Sequence, residues 1–148
     1  MTVKVRTTNK ADQVIEKKKT VLIVDDEIDM RTFLATLVEI SGYHPVLAKN
    51  GKEGIRKARE IRPDLLILDV MMPGEGGVVM YRQFKTDAKL KNTPVIMLSA
   101  IAKKTFYHYL SMLKIRLDES IPSPEAYIEK PPDAQELITL IKPFLGQA

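Results

Sequence analysis

Apolar and polar positions follow two alternating periods along this chain, and the pattern predicts five strand–helix pairs. Short aliphatic or β-branched runs predict strands at 20–24, 43–48, 64–69, 95–99 and 126–129. Between them, apolar residues recur every three or four positions, which predicts helices at about 28–41, 52–61, 78–86, 102–117 and 134–145. Strands that alternate with helices predict a doubly wound α/β fold with a parallel sheet covered on both faces.

The central strand carries the first candidate for chemistry. Four aliphatic residues at 65–68 run directly into Asp69, and a Pro-Gly pair at 73–74 turns the backbone away. A continuous apolar run is typical of a strand buried on both faces, so Asp69 is expected at the carboxyl edge of the sheet, where open α/β sheets build their sites. Right-handed crossovers and a central third strand favour the strand order 2-1-3-4-5.

Polar residues at the other strand ends add to this edge. Strand one ends in Asp25 and Asp26, strand four ends in Ser99, and Lys130 follows strand five. In the predicted order strands one and three are neighbours, and three close carboxylates repel one another unless a cation joins them. Oxygen ligands without His or Cys suit Mg²⁺ or Mn²⁺. The three carboxylates, together with the Ser99 hydroxyl and the Lys130 ammonium, predict a site for a phosphoryl group on Asp69.

Charge is distributed unevenly along the chain. Residues 1–19 contain six basic and two acidic residues, whereas residues 20–148 contain 17 of each, so the net charge of +4 comes from the first segment. We expect residues 1–19 to form a flexible basic extension, and the balanced body adds nothing to a nucleic-acid footprint. The chain has no cysteine, no apolar run of membrane-spanning length and no secretory signal, so a cytoplasmic location is expected.

The ordered motifs resemble the receiver domain of bacterial two-component response regulators. They are Asp-Asp-Glu at 25–27, Leu-Asp-Val-Met-Met-Pro-Gly at 68–74, Pro-Val-Ile-Met-Leu-Ser-Ala at 94–100 and Tyr-Ile-Glu-Lys-Pro at 127–131. The resemblance covers about residues 20–145. It implies a flavodoxin-like (βα)5 three-layer sandwich, with one receiver domain at 20–146 and no effector domain.

The resemblance also implies the roles of the site residues. Asp69 would accept a phosphoryl group from a sensor histidine kinase or a phosphotransfer protein, with Mg²⁺ or Mn²⁺ as cofactor. Asp26 and Asp69 would bind the metal directly and Asp25 through water, and the backbone carbonyl of Met71 would be the third protein ligand. Lys130 would pair with the phosphoryl oxygens.

Two further residues would transmit the signal. The resemblance implies that Ser99 hydrogen-bonds a phosphoryl oxygen and that Tyr127 rotates inward behind it. The surface formed by helix four, strand five and helix five would then control an output protein, or the phosphoryl group would be relayed onward. On this interpretation the protein is a signalling switch and not an enzyme, without a membrane partner, and its oligomeric state, monomer or dimer, stays open.

Three other functions compete with this one. A phosphatase with an aspartate nucleophile needs a second acid two positions later, where this chain has Met71. A phosphorylation-independent adaptor would need neither the aspartates at the strand ends nor Ser99 and Lys130, and this chain retains all of them. A nucleic-acid adaptor would act through the basic residues at 1–19 and would bind in a salt-sensitive manner.

Two departures from the family pattern carry expectations. The segment between Ser99 and Lys130 is longer than usual by roughly two helical turns, and we expect the loop at 118–125 to be a partner surface. Apolar Met71 and Ile101 stand two positions after Asp69 and Ser99, where the family pattern places the path of the hydrolytic water. Because apolar side chains there would position no water, a long-lived phosphoryl group is predicted.

Overall fold

The computed structural model of the protein describes residues 17–70 and 76–146. Strands and helices alternate throughout these residues, as the apolar periodicity predicts. The elements are β1 (Thr20–Val24), α1 (Ile28–Ile40), β2 (His44–Ala48), α2 (Gly51–Ile61), β3 (Leu65–Leu68), α3 (Gly76–Thr86), β4 (Val95–Ser99), α4 (Lys103–Leu117), β5 (Ala126–Glu129) and α5 (Ala134–Leu145). None of the helices in the described part of the chain has the length and apolar character needed to cross a membrane.

All five strands are parallel and lie in the order β2-β1-β3-β4-β5. The predicted order 2-1-3-4-5 is therefore confirmed. Val24 at the end of β1 lies opposite Leu68 at the end of β3, and the backbone N–H of Asp69 donates to the Val24 carbonyl at 2.9 Å. This register places the residues that follow β1 and β3 side by side at the carboxyl edge.

Two apolar layers enclose the sheet. Alternate strand residues such as Leu22 and Leu66 pack against α2, α3 and α4, whereas Val21 and Ile67 pack against α1 and α5. The central strand β3 therefore buries both of its faces, which explains why it is a continuous apolar run rather than an alternating one.

Helix α3 begins at Gly76, two residues before the predicted start at Val78. The reason is a close approach of two backbones. A Cβ atom on Gly77 would meet the Asp69 carbonyl and would lie 2.6 Å from the Cα atom of Val70. The missing side chain lets the first turn of α3 pack directly onto the backbone that carries Asp69.

The loop at 118–125 is attached to the body of the fold. Ile121 is buried in the apolar layer beneath α3 and α4, and the Tyr81 hydroxyl donates to the Pro122 carbonyl at 2.5 Å. The ammonium of Lys85, whose side chain is only 2% exposed, lies 3.2 Å from the Glu125 carboxylate. Deleting residues 118–125 would therefore remove part of the core, and that deletion cannot separate partner binding from folding.

Replacing Glu125 with Gln is expected to lower the free energy of unfolding by about 2 kcal/mol, because Lys85 would lose its only carboxylate among the contacts described. The Gln side chain retains an oxygen for the Val95 N–H, which donates to Glu125 at 2.7 Å. The matched control is Glu119→Gln. Its ion pair with Arg82 is 37% exposed on both sides, so a loss below about 1 kcal/mol is expected. Urea unfolding followed by circular dichroism measures both, and equal losses would contradict the argument.

Candidate functional site

The three predicted carboxylates come together at the carboxyl edge of the sheet. Carboxylate oxygens of Asp25, Asp26 and Asp69 all lie within 4.8 Å of one another. Asp25 and Asp69 are 1% and 4% exposed, whereas Asp26 faces solvent. The two buried acids follow β1 and β3 directly, so the strand register that pairs Val24 with Leu68 also holds their side chains in place.

Lys130 reaches into the same cluster from the end of β5. Its Nζ atom lies 2.9 Å from Asp25 Oδ2, 2.9 Å from Glu27 Oε1 and 3.1 Å from Asp69 Oδ2. Its backbone N–H donates to the Ser99 carbonyl at 2.8 Å, which extends the β4–β5 pairing and positions the side chain. Burial alone would lower the pKa of Lys130, but the hydrogen bonds to the three acids raise that pKa above its ordinary value. The lysine therefore stays charged at neutral pH.

Glu27 is a member of the site that the sequence interpretation missed. No role in the site was assigned to this acid from the sequence, yet its side chain contacts Lys130, and its backbone N–H donates to Asp25 Oδ1 at 2.9 Å. The uninterrupted run of acids at 25–27 could have indicated this role. However, the order of three adjacent acids does not show which of their side chains point toward the site. We call Asp25, Asp26, Glu27 and Asp69 the acid cluster.

Ser99 and Tyr127 form a second group beside the acid cluster. Ser99 is fully buried, and its hydroxyl accepts from the Ile101 N–H at 3.3 Å. The Tyr127 hydroxyl donates to the Ile101 carbonyl at 2.7 Å, and its ring stacks on Phe106 with the centroids 5.1 Å apart. Burial raises the pKa of Tyr127, and a hydrogen bond with Ser99 offsets part of that rise. Tyr127 thus already occupies an inward position in this structure.

The residues present fit a divalent cation. The acid cluster offers oxygen ligands, and three of its members, Asp26, Glu27 and Asp69, line a shallow cavity of about 480 Å³ together with Lys130 and Ala100. Both oxygens of Asp25 are engaged, by Lys130 and by the Glu27 N–H, whereas Asp26 is exposed toward the cavity. The four acids outnumber the neighbouring cations Lys130 and Arg31, so a Mg²⁺ or Mn²⁺ ion would reduce their mutual repulsion. The remaining predicted ligand, Met71, lies outside the described residues.

A five-stranded parallel sheet with a buried aspartate, further acids and a lysine at its carboxyl edge defines a flavodoxin-like α/β signalling domain. The chain belongs to the response regulator receiver domain family, whose family model matches residues 21–142. It is 37% identical over 131 residues to the polar-differentiation response regulator DivK of Brucella anthropi, an alignment that covers 88% of this chain and 98% of DivK.

Solved structures have the same architecture. Chemotaxis protein CheY4 of Vibrio cholerae superposes with a TM-score of 0.74 at 24% identity, over 86% of this chain and 99% of that one, which shows the shared fold. A receiver domain of a signal transduction histidine kinase from Syntrophus aciditrophicus has a TM-score of 0.72 at 28% identity, over 86% of this chain and 89% of that one.

Proposed function

We propose that this protein is a cytoplasmic response regulator in which Asp69 accepts a phosphoryl group from a sensor histidine kinase or a phosphotransfer protein. The observation that carries the proposal is the position of the Lys130 ammonium, 3.1 Å from Asp69 Oδ2 and within the acid cluster. An Asp69 oxygen would attack phosphorus while the bond to the donor's histidine nitrogen breaks, and that nitrogen keeps the electron pair and takes a proton. Lys130 would then pair with the phosphoryl oxygens.

The metal ligands that we propose are Asp26, Asp69 and the backbone carbonyl of Met71, with Asp25 acting through water. A bound Mg²⁺ or Mn²⁺ supplies positive charge that neutralises the phosphoryl oxygens as they approach the carboxylates. The exposed side chain of Asp26 and the engaged oxygens of Asp25 support this division of roles.

Ser99 and Tyr127 would carry the signal outward. To donate a hydrogen bond to a phosphoryl oxygen, the Ser99 side chain would turn toward Asp69, and its Oγ atom would move away from the Ile101 N–H from which it now accepts. Because the Ile101 carbonyl binds the Tyr127 hydroxyl, the change would reach α4 and β5 through a continuous set of contacts. The surface of α4, β5 and α5 would then bind an output protein differently, or the phosphoryl group would pass to another protein.

Intact mass spectrometry after treatment with a small phosphodonor and Mg²⁺ tests the proposal. We expect one added phosphoryl group on the wild-type protein and none on Asp69→Asn, because the amide cannot act as the nucleophile. Omitting Mg²⁺ or adding a chelator should suppress the adduct. Equal labelling of wild type and variant would place the phosphoryl group elsewhere, and no labelling by phosphodonor or kinase would favour the phosphorylation-independent adaptor.

The phosphoryl group on Asp69 is expected to persist for minutes to hours rather than seconds. Ile101 packs against the apolar layer that contains Tyr127, so its side chain offers no polar atom to hold a hydrolytic water. The time course of the mass adduct after removal of the donor measures this lifetime. Ile101→Asn, which introduces an amide at that position, should shorten it, and decay of the wild type within seconds would contradict the prediction.

A further inference from the structure

A basic cleft lies at the amino edge of the sheet, opposite the acid cluster. It is a cavity of about 420 Å³ between the end of α2 and the turn after α3, and Arg59, Arg62 and Lys89 line it. All three side chains are exposed. Asp87 also lines the cleft, and its Oδ2 atom lies 3.4 Å from the Nε atom of Arg59, so one acid faces three basic residues there.

Local contacts hold the backbone around the cleft. Asp87 Oδ1 accepts from the Lys89 N–H at 2.8 Å, and Leu90, only 1% exposed, anchors the turn in the core. Arg62 has φ = 48°, a left-handed conformation in which Gly or Asn is usual at the end of a helix. Arg62 therefore lines the cleft from a backbone conformation that residues other than Gly and Asn rarely adopt.

The basic extension enters the fold at the same edge. The backbone N–H of Thr20 donates to Asp64 Oδ2 at 2.8 Å, and the Asp64 N–H donates to the Thr20 carbonyl at 2.8 Å, two residues beyond Arg62. The exposed lysines at 17–19 thus precede β1 beside the cleft. Residues 20–148 contain equal numbers of basic and acidic residues. The basic cleft was therefore not visible in the net charge, because its residues come from separate segments of the chain.

The basic surface continues along α2. A second cavity of about 560 Å³ is lined by Lys52, Arg56 and Arg59, so that Arg59 is common to both cavities. Residues 52, 56, 59 and 62 are spaced by three or four positions and extend over about 15 Å of helix. Arg56 lies 4.0 Å from Glu53 and 3.8 Å from Glu60, long surface contacts that cost little to exchange for another anion.

We propose that this basic surface, formed by residues 17–19 with Arg56, Arg59, Arg62 and Lys89, binds the phosphate backbone of a nucleic acid. Arg56, Arg59 and Arg62 follow one another along α2 and its end, and Lys89 lines the same cleft as Arg59 and Arg62, so each cation can pair with a separate phosphate. The cavities offer no apolar anchor of the kind that protein partners use, since their large apolar residues Leu90 and Ile55 are only 1% and 6% exposed. The contacts would position the protein on the backbone without reading sequence.

Fluorescence anisotropy with a labelled mixed-sequence duplex of about 25 base pairs tests the proposal across a series of salt concentrations. The cleft variant combines Arg59→Gln, Arg62→Asn and Lys89→Gln, with Asn chosen at 62 because it tolerates the left-handed backbone. The matched control combines Lys103→Gln, Lys104→Gln and Arg116→Gln, which remove the same charge from α4. Thermal melting followed by circular dichroism confirms that both variants fold.

We expect the wild type to bind at about 50 mM salt, with log affinity falling linearly with log salt. The cleft variant should bind at least about tenfold more weakly and with a slope reduced by about 2, whereas the control should stay within about twofold of wild type. If both variants lost the same affinity for the duplex, binding would depend on net charge alone, and the proposal would be overturned. It would also be overturned by a wild type that does not bind the duplex, or that binds a polyglutamate peptide more tightly than the duplex.

Discussion

Lys130→Met is expected to lower the free energy of unfolding by about 3 kcal/mol in a buffer that contains a chelator. The Lys130 ammonium lies within 3.1 Å of Asp25 and Asp69, and both carboxylates are almost fully buried. Methionine fills a similar volume but supplies no charge, so the two acids would lose the cation that contacts both of them. Removing one partner of a buried ion pair destabilises a protein by far more than the intact pair stabilises it, because the remaining charges stay buried away from water.

Added Mg²⁺ should reverse much of this loss. Lys130 contacts Asp69, a proposed metal ligand, and Asp25, which we propose acts on the metal through water, so a bound metal ion and Lys130 would compete for these two carboxylates. Removing the lysine leaves the oxygens to the metal, and the affinity for Mg²⁺ should rise by at least about tenfold, equivalent to about 1.4 kcal/mol. The variant should therefore be less stable than wild type without the metal, and should gain more stability than wild type when Mg²⁺ is added.

Urea unfolding with and without Mg²⁺, together with calorimetric titration of Mg²⁺, measures both effects. Lys104→Met is the matched control, since Lys104 is exposed on α4 and its replacement should change stability by less than about 0.5 kcal/mol. If Lys130→Met were as stable as wild type in chelator, the lysine would not be neutralising the buried acids. If Mg²⁺ bound both proteins equally, the lysine and the metal would use different oxygens.

The sequence predicted the features of this protein that follow from a single element or from the handedness of the strand connections. Four aliphatic residues ending in an acid predicted β3 and the location of Asp69, because a strand buried on both faces needs a continuous apolar run. The strand order followed from crossover handedness, and it brought Asp25 and Asp69 together. The positions of Ser99 and Lys130 at the ends of β4 and β5 followed in the same way.

The missed features depend on contacts between elements that are distant in the sequence. Arg59 and Lys89 meet only because α2 and the turn after α3 end at the same edge of the sheet. Glu27 contacts Lys130 across 103 positions of sequence. No local sequence pattern predicts such contacts, and the net charge of a long segment does not show where its charged residues meet in the fold. The early start of α3 has the same origin, since Gly77 is explained by the backbone of Asp69 rather than by its own neighbours.

Gly77→Ala is therefore expected to lower the free energy of unfolding by at least about 3 kcal/mol. The added methyl group would meet the backbone carbonyl of Asp69 and would lie 2.6 Å from the Cα atom of Val70. Backbone atoms cannot rotate away as a side chain would, so either α3 or the segment that carries Asp69 must shift. A shifted Asp69 should also accept less phosphoryl group from a small phosphodonor, a second readout that a purely remote loss of stability would not produce.

The neighbouring Gly76→Ala separates this steric effect from the general cost of replacing a glycine. A Cβ atom on Gly76 would have nothing within 4 Å, but its φ of +67° disfavours any other residue. The expected loss is about 1 kcal/mol, the conformational cost alone, with phosphoryl incorporation unchanged. Urea unfolding and mass spectrometry compare the two variants directly. Similar losses of stability and labelling in both would mean that α3 adjusts to the Gly77 methyl group, and that its contact with the Asp69 backbone does not hold the acid in place.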